Sequence, residues 1–302
     1  MLHDDRDTFT VTAQKNRVRP IALDSYRLEK MAKASYYNPY TLFEWPDSLP
    51  GDQPWMSEDL TTLYGTQFWD ELTRDQQLAL TRHEAINFFS LNIHGIRELM
   101  GEVILRIHTK PYANVSEFLH HFIGEENEHM WFFSKFCWKY GGKIYPPQPK
   151  LLTDTELQVG AAAKELIIFA RILIFEEIVD FFNSRMATDD ALPDVAREIN
   201  AVHHQDESRH VAFGRQIFSE LRNQVMADNP DDVPTISQYL TDYLEYSVRS
   251  LYNPAVYRDV GIPNAIGVRS KVLQLPERVS SHDAMLLRTR RFLSKSGLLA
   301  SI

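Results

Sequence analysis

The chain has 302 residues, 44% of them hydrophobic, and a formal net charge of −9. This acidic balance argues against a nucleic acid as a partner. Cys137 is the only cysteine, so a disulfide within the chain is excluded, and a reducing, cytoplasmic location fits best. The N-terminal residues lack the basic and apolar regions of a signal peptide.

The predicted elements, in chain order, are helices. Residues 1–55 are rich in prolines and turns, and we interpret them as an extended arm that carries one short helix. Long helices are predicted over residues 75–108, 116–140, 154–186 and 193–227, each separated by a clear break. Further helices follow over residues 233–302. No flexible linker divides the chain, so we predict one all-α domain spanning residues 1–302.

The third predicted helix contains the most apolar stretch of the chain, residues 165–182. Four ionisable side chains interrupt it: Arg171, Glu176, Glu177 and Asp180. A membrane span would not tolerate these groups without partners, so we predict no membrane association and a central helix of a bundle. Carboxylates inside such a helix require stabilisation, because burying an unpaired charge is costly.

Two of the four long helices carry the motif Glu-x-x-His, which places a carboxylate and an imidazole on one helical face. These are Glu126 with His129, and Glu207 with His210. A single match is a weak signal in a chain with 11 histidines. A third match, Glu117 with His120, is assigned to the helix surface because it lies in the first turn.

The pairing of the two motifs predicts a dinuclear metal site. In such four-helix bundles, two helices give Glu-x-x-His and the other two give one Glu each. Reflecting Glu126 and Glu207 through the loops that precede their helices reaches Glu98 and Glu176, both in apolar stretches. Alternatives remain open at each position, namely Glu84 and Glu102 for the first and Glu177 for the second.

Hard oxygen and nitrogen ligands in this number suit two iron or manganese ions better than zinc. Glu126 and Glu207 are the expected bridging carboxylates. Asp206 and Glu125 precede them along the chain, and either could accept a hydrogen bond from a metal-bound imidazole. The predicted site therefore combines carboxylates and imidazoles from all four long helices.

The paired motifs "EENEH" and "QDESRH" resemble those of the ferritin-like di-iron carboxylate superfamily, and residues 80–215 carry the resemblance. His203, one turn before Glu207, is similar to a third histidine of the p-aminobenzoate N-oxygenase family. The resemblance implies a ferritin-like four-helix core over about residues 75–227, with additional terminal helices. It also implies the metal ligands Glu98, Glu126, His129, Glu176, His203, Glu207 and His210. The gap of 28 residues between Glu98 and Glu126 is shorter than that family would have, which keeps Glu84 and Glu102 in consideration.

The same resemblance implies a function. Two iron ions and O2 would oxidise an arylamine to a hydroxylamine or nitro product in antibiotic or other natural-product biosynthesis, with electrons from an external reductase or reductant. A homodimer is expected on the same ground. Two alternatives are a di-iron hydroxylase or desaturase acting on an aliphatic or carrier-bound substrate, and a non-enzymatic iron-binding bundle.

Overall fold

The computed structural model describes residues 17–147, 149 and 157–300. Their regular structure is helical, and these residues contain no strand. The two short helices of the N-terminal arm are α1 (Tyr26–Ala34) and α2 (Pro39–Leu42), and α3 (Gln67–Asp70) follows. The remaining eight are α4 (Arg74–Ile104), α5 (Ser116–Phe136), α6 (Ala161–Met186), α7 (Asp194–Asp228), α8 (Val233–Leu251), α9 (Pro254–Asp259), α10 (Ala265–Val272) and α11 (Pro276–Lys295).

The boundaries of the four long helices α4 to α7 follow from local sequence signals. A capping box between Thr73 and Gln76 begins α4. A π-helical turn, Cys137–Gly141, extends α5, and Gly142 ends it in the left-handed conformation with φ 64°. Of the predicted start of the third helix, residues 154–156 lie outside the described residues and residues 157–160 are not helical. Helix α6 therefore begins at Ala161, after Gly160 as its N-cap, and the predicted start near residue 154 was too early.

The four long helices pack as two antiparallel pairs, α4 with α5 and α6 with α7. Phe89 of α4 stacks on Phe133 of α5 with 4.9 Å between ring centroids. Gly214 of α7 faces Leu173 of α6 so closely that an added Cβ would lie 3.2 Å from a leucine methyl. The predicted all-α fold with a four-helix core is confirmed, and buried apolar residues of the arm, the core and the C-terminal helices form one cluster.

Helix α6 is buried on nearly every side, and two of its acidic side chains have specific partners. Glu177 accepts hydrogen bonds from Arg215 and Thr289. Asp180 contacts His204. These contacts explain how an otherwise apolar helix tolerates the two carboxylates. None of the helices in the described ranges combines the length and the apolar character that a membrane span requires.

Candidate metal centre

Four side chains from α5 and α7 meet at the centre of the bundle. Glu126, His129, Glu207 and His210 each offer one ligand-type atom, and these atoms lie within 4.8 Å of one another. All four residues are at most 1% exposed. Each helix provides its pair because a spacing of three residues puts both side chains on one face.

Two further residues complete the cluster. Nε2 of His203 lies 2.7 Å from Oε1 of Glu207, one turn further along the same helix. Glu176 of α6 is 1% exposed, and burial together with the negative charges of Glu207 and Glu126 raises its pKa well above the usual range. Three carboxylates this close to one another in a buried site need cations nearby to be ionised together.

The cluster fits metal ions by its unpaired atoms. All six carboxylate oxygens of Glu126, Glu176 and Glu207 are buried without a well-oriented hydrogen bond among the described residues, although two of them lie 2.7 and 2.8 Å from imidazole nitrogens. So is one ring nitrogen of each imidazole: Nδ1 of His129, Nδ1 of His210 and Nε2 of His203. Buried polar atoms are rarely left unpaired. Oxygen and imidazole nitrogen atoms that converge in this way form a di-metal site with Glu and His ligands.

The outward-facing nitrogens of two imidazoles are fixed by carboxylates. Nε2 of His129 lies 3.1 Å from Asp206, and Nε2 of His210 lies 2.9 Å from Glu125. When these nitrogens donate, both Nδ1 atoms present lone pairs to the centre of the cluster. Before a metal binds, and despite burial, the hydrogen bond and charge of His129 lower the pKa of Asp206 to about 2, while Asp206 and Glu126 raise the pKa of His129 to about 10. A bound cation would displace the proton from Nδ1 of His129 and leave Asp206 ionised.

His203 has an amide partner instead. Nδ2 of Asn183 lies 2.7 Å from Nδ1 of His203, and Oδ1 of Asn183 has no partner among the described residues. Rotating the Asn183 amide by 180° exchanges its oxygen and nitrogen, so that Oδ1 of Asn183 accepts a hydrogen bond from Nδ1–H of His203. That tautomer leaves the lone pair of Nε2 directed towards Glu207.

Arg209 and Tyr37 support the ring of outer partners. Arg209 is 3% exposed and donates to Asp206 and, at 2.7 Å, to Glu125. The hydroxyl of Tyr37, in the N-terminal arm, donates to Asp206 at 3.0 Å. Sequence reasoning missed both residues and also Asn183. The position of Arg209 three residues after Asp206 was a usable signal, but nothing in the sequence brings residue 37 to this place.

The structure does not bring Glu98 to the cluster. Its carboxylate accepts a hydrogen bond from Arg171, and its side chain is 34% exposed. The prediction of Glu98 assumed that equal numbers of residues separate Glu98 and Glu126 from the middle of the loop between their helices. The structure instead directs Glu98 towards α6 and α8, where it lines a cavity together with Phe175 and Tyr243.

The alternatives to Glu98 also lie elsewhere. Glu84 accepts hydrogen bonds from the backbone N–H and the hydroxyl of Thr62. Glu102 pairs with Arg106 at 2.9 Å. Helix α4 therefore brings none of its three glutamates to the site, whereas Glu176 joins it and Glu177 does not.

Residues 25–297 match the family described as P-aminobenzoate N-oxygenase AurF. Among solved structures, the chain is similar to two variants of an R2-like ligand-binding oxidase with a reconstituted Mn/Fe cofactor. One has 15% sequence identity and a TM-score of 0.43, and the other has 14% and 0.41. Each comparison covers 94% of this chain and 99% of the other. No curated protein matches.

Proposed function

The chain belongs to the p-aminobenzoate N-oxygenase family, as the resemblance predicted, and we propose that it oxidises the nitrogen of an arylamine with O2 at two iron ions. Family membership supports a di-metal oxidase or oxygenase. The observation that carries the proposal is the convergence of unpaired carboxylate oxygens and imidazole nitrogens on one buried point. A storage or structural role would not require a third imidazole beside two Glu-x-x-His motifs.

The described distances place Glu126 and Glu207 within reach of several imidazoles. Oε1 of Glu207 lies 2.7 Å from His203, 3.4 Å from His210 and 3.9 Å from His129. Oε1 of Glu126 lies 2.8 Å from His210 and 3.5 Å from His129. Glu126 and Glu207 thus each reach at least two imidazoles, and together with Glu176 they would hold the ions with His129, His203 and His210.

When bound, the iron pair would supply the electrons and the binding position for the reduction of O2. The residues of this chain hold the ions and exclude water from them, since the whole cluster is at most 1% exposed. Asp206, Glu125 and Asn183 would orient each imidazole and hold the proton on its outward-facing nitrogen, so that the inward-facing nitrogen is available to an ion. We also propose that a separate reductant returns the electrons after each turnover.

A cavity of about 310 Å³ between α4, α6 and α8 is the proposed place for a flat substrate. Phe88, Phe175, Tyr243 and Tyr246 contribute aromatic walls, and Ser247 contributes a hydroxyl. The volume lies at the lower end of the range for small-molecule sites, and the mostly apolar lining with a few polar groups is typical of them. Filling the cavity with Ser247→Phe should raise KM for an arylamine and leave metal content unchanged.

The direct test offers the iron-loaded protein O2, a chemical reductant and matched amines. We expect N-oxidised products from anilines and none from cyclohexylamine, with detection by mass spectrometry. His203→Ala should abolish the product. His204→Ala is the matched control, because this neighbouring imidazole is 47% exposed and pairs with Asp180. Oxidation of aliphatic carbon with anilines left intact would refute the proposal and favour a hydroxylase.

A further inference from the structure

A small apolar cavity adjoins the metal centre on one side, and we call it the inner cavity. Its volume is about 10 Å³, which is space for about one water-sized molecule. Glu176 and His210 of the cluster line it. The rest of its lining is apolar and includes Phe122, Ile172 and Phe213. A small molecule in the inner cavity would therefore lie beside two of the proposed metal ligands.

The other sides of the cluster are filled by packed side chains. The ring of Phe132 lies 5.4 Å from that of His129, and the ring of Phe133 lies 5.0 Å from that of His203. On the outward-facing side of the imidazoles, Arg209 and two carboxylates form a hydrogen-bonded network. These sides are closed by aromatic packing or by charged groups, whereas the inner cavity is open and apolar.

A second cavity lies on the other side of Ile172, and we call it the middle cavity. It has a volume of about 40 Å³ between α4 and α6, and its lining includes Leu99, Ile168, Ile172 and Phe175. Ile172 is 8% exposed, and it is the residue that the linings of the inner and middle cavities have in common. Its side chain therefore separates the two spaces.

The middle cavity in turn adjoins the proposed substrate cavity. Gly95, Phe175 and Tyr243 are among the residues that line both. The absence of a side chain at Gly95 makes room for the Phe175 ring, because an added Cβ would lie 2.7 Å from Cζ of Phe175. Arg97, which also lines the substrate cavity, is exposed. The three cavities therefore form one series from the surface to the metal centre.

The series suits a small molecule without charge. The charged groups that line the middle cavity are paired, Glu98 with Arg171 and Glu102 with Arg106. Water needs about two to four polar partners to occupy a buried site, and the lining of the inner cavity is mainly apolar. O2 is apolar and has no hydrogen-bond donor, so it enters such a space without the cost of losing hydrogen bonds.

We propose that O2 reaches the ions through this series of cavities and that Ile172 limits its passage into the inner cavity. The inference rests on the proposed two-metal site. Ile172 lies four residues, about one helical turn, before Glu176 on α6. A change of its side-chain rotamer would therefore join the middle and inner cavities directly beside a ligand. O2 would arrive on the side of Glu176 and His210.

The first test is xenon binding in crystals of the full-length protein, because xenon occupies apolar cavities. Ile172→Ala should show xenon beside Phe122 and Phe213, in the enlarged inner cavity. Ile168→Ala is the matched control, because Ile168 is a buried isoleucine one turn earlier that lines the middle cavity and not the inner one. This control should show xenon in the middle cavity and none in the inner cavity.

The second test is the rate at which O2 oxidises the iron-loaded protein, followed by stopped-flow absorbance at several O2 concentrations. Ile172→Ala should raise the second-order rate constant for O2 more than about threefold, because the step that limits entry is widened. Ile168→Ala should keep the rate constant of the unaltered protein. Gly214→Ala should lower it, because the added Cβ would lie 3.2 Å from Cδ1 of Leu173 within the lining of the inner cavity. Elemental analysis of each variant separates a change in O2 entry from a loss of iron.

Equal rate constants in Ile172→Ala and the unaltered protein, or an equal increase in Ile168→Ala, would overturn the inference and leave the proposed function standing. So would the absence of xenon from the inner cavity of Ile172→Ala. If O2 does not oxidise the iron-loaded, unaltered protein, the proposed function fails, and the xenon positions still decide whether the route exists. If Gly214→Ala does not fold, Ile172→Ala and its control still decide.

Discussion

Asp206→Asn should weaken metal binding beside His129, although Asp206 itself is not a predicted ligand. Its Oδ2 lies 3.1 Å from Nε2 of His129 and accepts from Tyr37 at 3.0 Å, and its Oδ1 accepts from Arg209. The residue is 1% exposed, so water does not replace it. Loss of an outer carboxylate that orients a ligand imidazole typically lowers metal affinity about 10- to 100-fold, which is about 1.4 to 2.7 kcal/mol.

The assay is a competitive Mn²⁺ titration against a chelator of known affinity. Asp180→Asn is the matched control, because Asp180 also contacts a histidine of α7, His204, at 2.5 Å. His204 is not part of the cluster, so this variant should retain the affinity of the unaltered protein. Equal affinities in Asp206→Asn and the unaltered protein would refute the role of the outer hydrogen bond. So would an equal loss in both variants.

Three further predictions concern residues on and beside α4. Glu98→Gln should keep the full metal content, whereas Glu126→Gln should lose at least one ion, as measured by elemental analysis. Loss of metal in Glu98→Gln would contradict the position of Glu98 away from the cluster. Burial raises the pKa of Glu84 to about 7. Between pH 4.5 and pH 7 the unfolded chain releases the Glu84 proton while the folded protein keeps it, so the free energy of unfolding of the metal-free protein should fall by roughly 3 kcal/mol. Urea unfolding of Glu84→Gln should lack that loss. Gly141→Ala should lower the free energy of unfolding by about 1 to 3 kcal/mol, because its Cβ would lie 2.7 Å from Cγ1 of Ile86; unchanged urea unfolding would contradict the close packing.

Much of the architecture was predictable because helical periodicity and breaks in the chain are local signals. The two Glu-x-x-His motifs, His203 and the choice of Glu176 over Glu177 all follow from spacing on single helices. The structure brings these residues together. Asp206 and Glu125 were predicted from their position next to the motifs, and both contact the expected imidazoles.

Whether the first long helix supplies a carboxylate ligand could not be predicted correctly, because this depends on the register between α4 and α5. That register is set by contacts such as the stack of Phe89 on Phe133 and not by the length of the loop. The contact between Tyr37 and Asp206 could not be predicted for a related reason. It joins residues that are 169 positions apart, and it depends on how the N-terminal arm packs against the bundle.

The most direct test of the two-metal site is anomalous diffraction at the iron edge from crystals of the iron-loaded protein. We predict two iron peaks between α5, α6 and α7. Their ligands should be Glu126, His129, Glu176, His203, Glu207 and His210, with no ligand from α4. Iron peaks at Glu98, or no iron within reach of the two Glu-x-x-His motifs, would contradict it.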